Sequence, residues 1–227
     1  MDFLAGEVLL IDKPLEWTSF DVVKKVRGRL LKKLNRKKIK VGHAGTLDPL
    51  ATGLLILCTG KATKKIETIQ SAEKEYTGTI TLGATTPSYD METEVDREFD
   101  VSDLTPEKLK EAAQSFVGEQ LQTPPVFSAK KIDGRKAYDY ARKGEDVKMR
   151  QNLVHIYEFE LTRIELPEVD FRVKCSKGTY IRSLAYDFGQ SLNNGGYLSA
   201  LRRTAIGDYR IEDALSIEEV VELVLES

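Results

Sequence analysis

Residues 154–175 read VHIYEFELTRIELPEVDFRVKC, and this stretch decides the fold class. Two strand-forming runs, Val154 to Leu166 and Val169 to Cys175, meet at Pro167-Glu168, and so short a connection makes them an antiparallel pair. Outward from this pair, strands and helices do not alternate regularly. Glu7 to Asp12, Leu54 to Cys58 and Glu75 to Leu82 read as strands, the second of them buried. Thr18-Ser19 caps a helix whose apolar positions Val22, Val23, Val26, Leu30, Leu31 and Leu34 recur at helical spacing, opposite a strongly basic face. Ala62 to Gln70 reads as a short helix. Thr105-Pro106-Glu107 opens another that runs to about Phe116. Thr85 to Asp100 is polar and acidic, a long loop, and Pro124-Pro125 keeps Gln120 to Lys131 extended. Asp133-Gly134 signals a hairpin, followed by a short helix from Arg135 to Arg142 ended by Gly144. A helix begins near Thr179 and breaks before Gly195-Gly196. Ser216-x-x-Glu219 is a capping box for the last helix, Ile217 to Leu225. The pattern predicts an α+β fold, a mixed, mainly antiparallel sheet flanked by helices, rather than a doubly wound parallel sheet.

The chain has 227 residues, 41% hydrophobic and 31% charged, with a formal net charge of −2. That composition belongs to a globular protein with enough chain for a real core. The small net charge hides an asymmetry. Between Val22 and Ile66 stand thirteen Lys/Arg and a single carboxylate, Asp48, so this segment carries +12 and the remainder −14. Such a local excess is the footprint of phosphate contacts, with Lys37, Lys38 and Lys40 in its densest part. The two cysteines, Cys58 and Cys175, have no metal-binding spacing and read as reduced thiols of a cytoplasmic protein. The longest apolar run, Leu54 to Cys58, is far too short for a membrane span.

The lone acid lies in Gly42-His43-Ala44-Gly45-Thr46-Leu47-Asp48-Pro49-Leu50-Ala51-Thr52-Gly53, where the glycines and proline imply a tightly shaped loop. Other chemistries fail on their residues. Gly60-Lys61 resembles the end of a P-loop, but Leu55 stands where the first glycine belongs and Ala62 where a hydroxyl must hold magnesium. Two histidines, His43 and His155, supply neither a metal site nor a Ser-His-Asp triad well. What remains is Asp48, which a neighbouring cation would keep ionised. Arg182, within Cys175-Ser176-Lys177-Gly178-Thr179-Tyr180-Ile181-Arg182, is the best candidate, because its fork holds a carboxylate bidentately. On composition alone, Arg182 reads as a surface helix residue, Tyr76 and Leu201 as core, and His43 as a turn residue.

The loop from Gly42 to Gly53 resembles the signature of the TruB family, the tRNA pseudouridine-55 synthases. Further segments resemble that family in order: Leu10-Ile11-Asp12-Lys13-Pro14, Lys74-Glu75-Tyr76 with Leu82-Gly83, and Thr86 to Asp90. Gln122-Thr123-Pro124-Pro125, Phe127-Ser128-Ala129-Lys130, Gly178-Thr179-Tyr180-Ile181-Arg182 and Leu201-Arg202-Arg203-Thr204 complete the set. The resemblance covers most of the chain. It implies a catalytic aspartate at Asp48, an arginine partner at Arg182, and Tyr76 stacking on the target base; the Tyr76 hydroxyl could in addition relay a proton at C5. It implies His43 against the flipped RNA, and Tyr180 and Leu201 lining the uracil pocket. Lys13 and Asp90 match motif positions of undefined role.

The implied reaction isomerises uridine 55 of the tRNA T-loop to pseudouridine after base flipping. Attack of Asp48 on C6, attack on C1′, or removal of the 2′ proton to give a glycal all fit. None changes redox state, so neither cofactor nor metal is expected. The expected partner is the T-arm of tRNA, gripped by the basic helix and the stretch Arg36 to Lys40, with no obligatory protein partner, no membrane and a monomeric state. The expected organisation is one catalytic domain over 1–227, with the C-terminal PUA domain of many bacterial members absent or truncated. Two rivals stand beside this reading: an RNA chaperone using the same surface without Asp48, and a synthase guided to rRNA by partner proteins.

Overall fold

The computed structural model describes residues 1–226 except 129, 133, 142, 144, 146 and 148. In chain order the elements are β1 (Val8–Lys13), α1 (Ser19–Lys33), β2 (Val41–His43), β3 (Ala51–Thr59), a 3-10 turn (Gly60–Lys65), α2 (Ile66–Ser71), β4 (Lys74–Leu82), β5 (Ala84–Thr85) and β6 (Arg97–Glu98). Next come α3 (Pro106–Ser115), β7 (Gly118–Gln122), β8 (Lys131–Ile132), β9 (Arg135–Lys136), α4 (Ala137–Ala141), β10 (Asn152–Glu165) and β11 (Glu168–Cys175). The chain closes with α5 (Ile181–Ser191), β12 (Gly196–Ile206), β13 (Tyr209–Arg210), a second 3-10 turn (Ile211–Asp213) and α6 (Ile217–Glu226). Two compact units form, one from Met1–Tyr76 with Leu201–Ser227, the other from Thr77–Ala200. Strands β4 and β12 each run from one unit into the other.

In the first unit β3 is the organising strand. β1 lies antiparallel along one edge, from Val8 opposite Cys58 to Lys13 opposite Gly53. The other edge is shared by β2, antiparallel from Val41 opposite Thr59, and by β12, parallel from Leu201 opposite Ala51 to Arg203 opposite Gly53. Side chains of a strand alternate between faces. Leu55 and Leu57 therefore enter one core with Leu9 and Ile11 of β1, Val22, Val26 and Leu30 of α1, and Val220 and Val224 of α6. Leu54, Ile56 and Cys58 enter a second with Ala62, Ile69 and Ile206. Burial on both faces is why β3 reads as an unbroken apolar run.

Helix α1 starts at the expected cap. Thr18 N donates to Asp21 Oδ2 at 3.0 Å and Asp21 N donates back to Thr18 Oγ1 at 3.0 Å. Its apolar stripe is buried, leaving Lys24 and Lys25 on the outer face. Among the described residues, no helix is long and apolar enough to cross a membrane.

In the second unit the strand order is β4-β11-β10-β7. β10 and β11 form the expected antiparallel pair, from Ile156 opposite Cys175 to Glu165 opposite Glu168. Helices α3 and α5 cover one face through aromatic edges: Phe159 of β10 meets Phe116 at 6.3 Å and Phe188 at 5.6 Å between ring centroids.

Several expectations change in detail. Thr85 to Asp100 is not all loop, since Ala84 opposite Glu98 and Thr85 opposite Arg97 close it as a hairpin. These strands are too short and polar to show alternation. The stretch from Ala62 begins as a 3-10 turn before α2 takes over. The loop that carries Asp48 is narrower than Gly42 to Gly53, because both its ends are strand. Strand β12 carries no expectation at all. Its double glycine reads as a break, and Arg202-Arg203 interrupts an apolar pattern. The hairpin of β8 and β9 stands where expected, with Lys131 opposite Lys136, although Asp133 itself lies outside the described residues. So do Arg142 and Gly144, the expected end of the helix after it.

Candidate active site

Asp48 sits on the loop between β2 and β3, and backbone chemistry holds that loop from three sides. Ser19, the first residue of α1, accepts from Leu47 N at 2.8 Å and donates to Leu47 O at 3.2 Å. From β1, Lys13 Nζ donates to Pro14 O at 2.8 Å and Trp17 O at 2.6 Å, and reaches Pro49 O at 3.5 Å. Glu16 N adds a bond to Pro49 O at 2.8 Å. From β12, Arg203 donates through Nε to Leu54 O at 2.8 Å, through Nη2 to Gly45 O at 3.1 Å and through Nη1 to Thr46 O at 3.4 Å. Arg203 is only 1% exposed and Lys13 fully buried. The Gly45 and Leu54 carbonyls among these are buried acceptors that would otherwise be left unpaired. The two cations therefore fix the backbone on either side of Asp48.

Gly53 makes the approach of β12 possible. Its φ is +99°, and a Cβ there would stand 2.4 Å from Arg203 O and 2.8 Å from Arg203 N. Only glycine tolerates both the left-handed conformation and the contact.

Lys13 and Arg203 bring two buried cationic groups against this loop. Burial lowers the pKa of Lys13 from 10.5 to about 8; the negative charge of Asp48 opposes that fall and the charge of Arg203 adds to it. Lys13 thus remains mostly a cation at neutral pH. His43 ends β2. Burial lowers its pKa below 6.5, the Gly45 backbone opposes, and Arg203 lowers it further. That direction favours the neutral imidazole.

The other expected residues of this unit lie on neighbouring strands. Leu201 faces Ala51 across the β12–β3 register, three residues past Asp48. Tyr76 is buried on β4, next to Glu75, whose Oε1 accepts from Thr204 Oγ1 of β12 at 2.7 Å. Arg202 pairs with Asp12 at 2.7 Å, tying β12 to β1. Lys37, Lys38 and Lys40 are exposed between α1 and β2.

The second unit holds Tyr180 and Arg182. Tyr180 caps α5 and is gripped twice by the buried Gln122, whose Oε1 accepts from Tyr180 N at 2.7 Å and whose Nε2 donates to Tyr180 O at 3.1 Å. Arg182 is 5% exposed, not the surface residue that composition suggests. It donates to Phe127 O at 2.8 Å and Ser88 O at 3.3 Å, and pairs with Asp90 at 3.5 Å. Tyr89 helps to place Asp90: its ring stacks on Tyr186 at 4.0 Å, with the backbone held at a φ of +63°. Ser183 Oγ donates to Thr123 O at 2.7 Å. Four segments far apart in sequence, around Ser88–Asp90, Gln122–Thr123, Phe127 and Tyr180–Ser183, therefore interlock at the start of α5. The expected Asp48–Arg182 pairing joins one residue from each unit; within its own unit, Arg182 pairs with Asp90.

Sequence reasoning left two residues without a role: Arg203, quoted only as part of a motif, and Lys13. The available signal was a cation inside an otherwise strand-like apolar context, which is tolerated only when it meets several acceptors.

Residues 32–181 match the model of the TruB family pseudouridylate synthase N-terminal domain. The chain is 57% identical over 222 residues to tRNA pseudouridine synthase B of Phocaeicola vulgatus, covering 98% of this chain and 94% of that protein. It is 56% identical over 217 residues to the protein of the same name from Flavobacterium johnsoniae, covering 95% of each. Among solved structures it resembles a chain of a Cbf5-Nop10-Gar1 complex, with a TM-score of 0.73 and 30% identity. That likeness covers 97% of this chain and 54% of the other, so this chain spans about half the length of that solved chain. A chain of an H/ACA RNP bound to a substrate RNA containing 2′-deoxyuridine is similar too, with a TM-score of 0.71, 28% identity and 53% of its length covered. The chain belongs to the TruB family of pseudouridylate synthases.

Proposed function

We propose that this protein isomerises uridine 55 in the T-loop of tRNA to pseudouridine, with Asp48 as the catalytic group. The observation that carries the reading is the clamped loop: Lys13, Ser19 and Arg203 hold the backbone around one carboxylate. A nucleophile or base must be held at low mobility to act, and pre-set geometry removes reorganisation from the barrier. The high identity to relatives named tRNA pseudouridine synthase B supports tRNA as the substrate.

In this reading the uridine is extruded from the loop, stacks on Tyr76 and is enclosed by Tyr180 and Leu201. Asp48 attacks C6 or C1′, or removes the 2′ proton. The N1 glycosidic bond breaks, the uracil turns, and C5 bonds to the ribose. Asp48 is freed again, the C5 proton is lost to solvent and N1 gains one, so the product is an isomer of the substrate and the chemistry requires no cofactor. Arg182, oriented by Asp90 and the Phe127 carbonyl, is the proposed partner of Asp48, and His43 lies against the displaced RNA. Lys37, Lys38 and Lys40 take backbone phosphates, contacts that position without reading sequence. The protein acts as one catalytic domain, a monomer in the cytoplasm without obligatory protein partners; the family match runs through both units.

A second reading, guided action on another RNA, draws on the likeness to the Cbf5 complex at 30% identity. The stand-alone tRNA reading is favoured by identity above 50% to relatives covered nearly end to end. The test is tritium release from tRNA labelled at uridine C5, comparing wild type with Asp48→Asn. Release by wild type from one T-loop uridine, absent in the variant, supports the assignment. No release despite tight tRNA binding sinks it and favours a chaperone or a different target.

A further inference from the structure

A groove of about 630 Å³ runs along the outer face of α1, lined by Glu16, Trp17, Asp21, Lys24, Lys25, Gly28, Arg29 and Lys32. From Asp21 onward these positions follow helical spacing, so they form one stripe opposite the buried valines. The stripe bears four cations. Its Asp21 is already engaged, accepting from Thr18 N and Thr18 Oγ1 in the helix cap. Among the described residues, Lys25, Arg29 and Lys32 have no carboxylate partner. Gly28 is the telling residue. A glycine inside a helix is costly, and here nothing lies within 4 Å of where a Cβ would stand. Neither packing nor a turn requires it; its effect is a flat groove floor between the stems of Lys24, Lys25 and Lys32.

One end of the groove opens at the catalytic loop. Glu16 N donates to Pro49 O, the residue after Asp48, and Ser19 at the start of α1 is bonded both ways to Leu47. From Asp21 to Lys32 the stripe extends about 16 Å at the rise of an α-helix, the axial length of about five nucleotides of one strand. A basic channel with an aromatic at one end is how proteins follow a single nucleic-acid strand, cations on phosphates and ring on base or ribose.

The geometry points to this groove as a seat for the RNA strand that continues from the target nucleotide, with Trp17 against a sugar or base and Lys24, Lys25, Arg29 and Lys32 along its phosphates. The inference rests on the reading of tRNA as substrate and extends the contact surface beyond Lys37, Lys38 and Lys40.

Trp17 is the chain's only tryptophan, so its emission reports on the groove directly. The wild-type protein is titrated with a tRNA transcript at low and high salt, with filter retention measured in parallel. The expected result is a saturable change in emission whose midpoint matches retention and which weakens as salt rises. Gly28→Leu, which fills the floor, loses the emission change and binds tRNA at least tenfold more weakly at low salt. Gly28→Ala, a smaller filling that fits the open space, has an intermediate effect and keeps the test decisive if leucine disturbs folding. Unchanged emission at saturating tRNA overturns the seat, as does wild-type affinity in both variants. So does an emission change with poly-glutamate that tRNA does not produce, which would mark a protein partner. Tritium release by wild type reports the enzymatic reading separately. Release with a silent Trp17 overturns the groove alone. A full Trp17 response without release leaves the groove standing and overturns the enzyme.

Discussion

Replacing Arg203 by lysine keeps the buried charge but removes the fork. Arginine places donors on Leu54 O at 2.8 Å, Gly45 O at 3.1 Å and Thr46 O at 3.4 Å from three different nitrogens. A lysine ammonium is a single point and serves one of the first two acceptors, not both. The 3.4 Å contact is long and contributes little. One charge-assisted bond is therefore lost and a buried loop carbonyl left without a donor, which costs about 2–4 kcal/mol. The urea midpoint should fall accordingly at an unchanged slope. The same loss frees Gly45, three residues before Asp48. A displacement of about 1 Å at a reacting group costs about 100-fold in rate. Single-turnover tritium release from saturating tRNA should thus fall about 100-fold, while tRNA affinity stays within about twofold because no RNA contact is removed. An Arg203→Lys protein with a lowered midpoint but wild-type rate would refute the claim that this residue positions Asp48. An unchanged midpoint would mean that the loop carbonyls do not depend on it.

Three other perturbations test distinct residues separately. Tyr76→Phe keeps the ring on β4 and removes the hydroxyl; if the hydroxyl relays a proton, turnover drops by about 10²–10⁴ with the fold intact, and full retention of rate would leave stacking as its only role. Reversing Lys37 and Lys38 to glutamate should weaken tRNA binding at low salt and reduce the slope of log affinity against log salt by about 1.4–1.8, as expected for two lost phosphate contacts; unchanged affinity would show that the run faces away from RNA. Burial raises the pKa of Asp187 on α5 from 3.8 to about 6, so the folded state binds the proton more tightly than the unfolded chain. The native protein therefore loses stability as pH rises from about 4 to 6, and Asp187→Asn should gain stability above pH 6, at most about 3 kcal/mol and about half of that after solvent screening, with no gain below pH 4. Urea midpoints at pH 4 and pH 7.5 decide this; equal effects at both would rule out titration as the cause.

Much of the local structure was legible because its causes are local. The capping box of Thr18 and Asp21, the start of α3 at Thr105-Pro106 and the last helix after Ser216 each depend on residues within one turn. The antiparallel pair of β10 and β11 was readable from two adjacent strand-like runs and the short link between them. The loop that carries Asp48 stood out because a lone acid in a basic stretch, framed by glycines, is rare. The short hairpin of β5 and β6 was not readable, since two-residue strands hold no period. Neither was β12, whose arginines make sense only against acceptors from distant elements.

The sequence by itself therefore determined the family, the fold class and the catalytic candidate, because motif spacing, capping and periodicity are properties of neighbours along the chain. Only the tertiary structure decided what the buried cations bind. Arg203 meets the carbonyls of Gly45 and Leu54 across about 150 residues of sequence, and Arg182 meets Asp90 and Phe127 inside the second unit. A buried guanidinium is admissible only where several acceptors converge, and that convergence is a property of packing rather than of any stretch of chain.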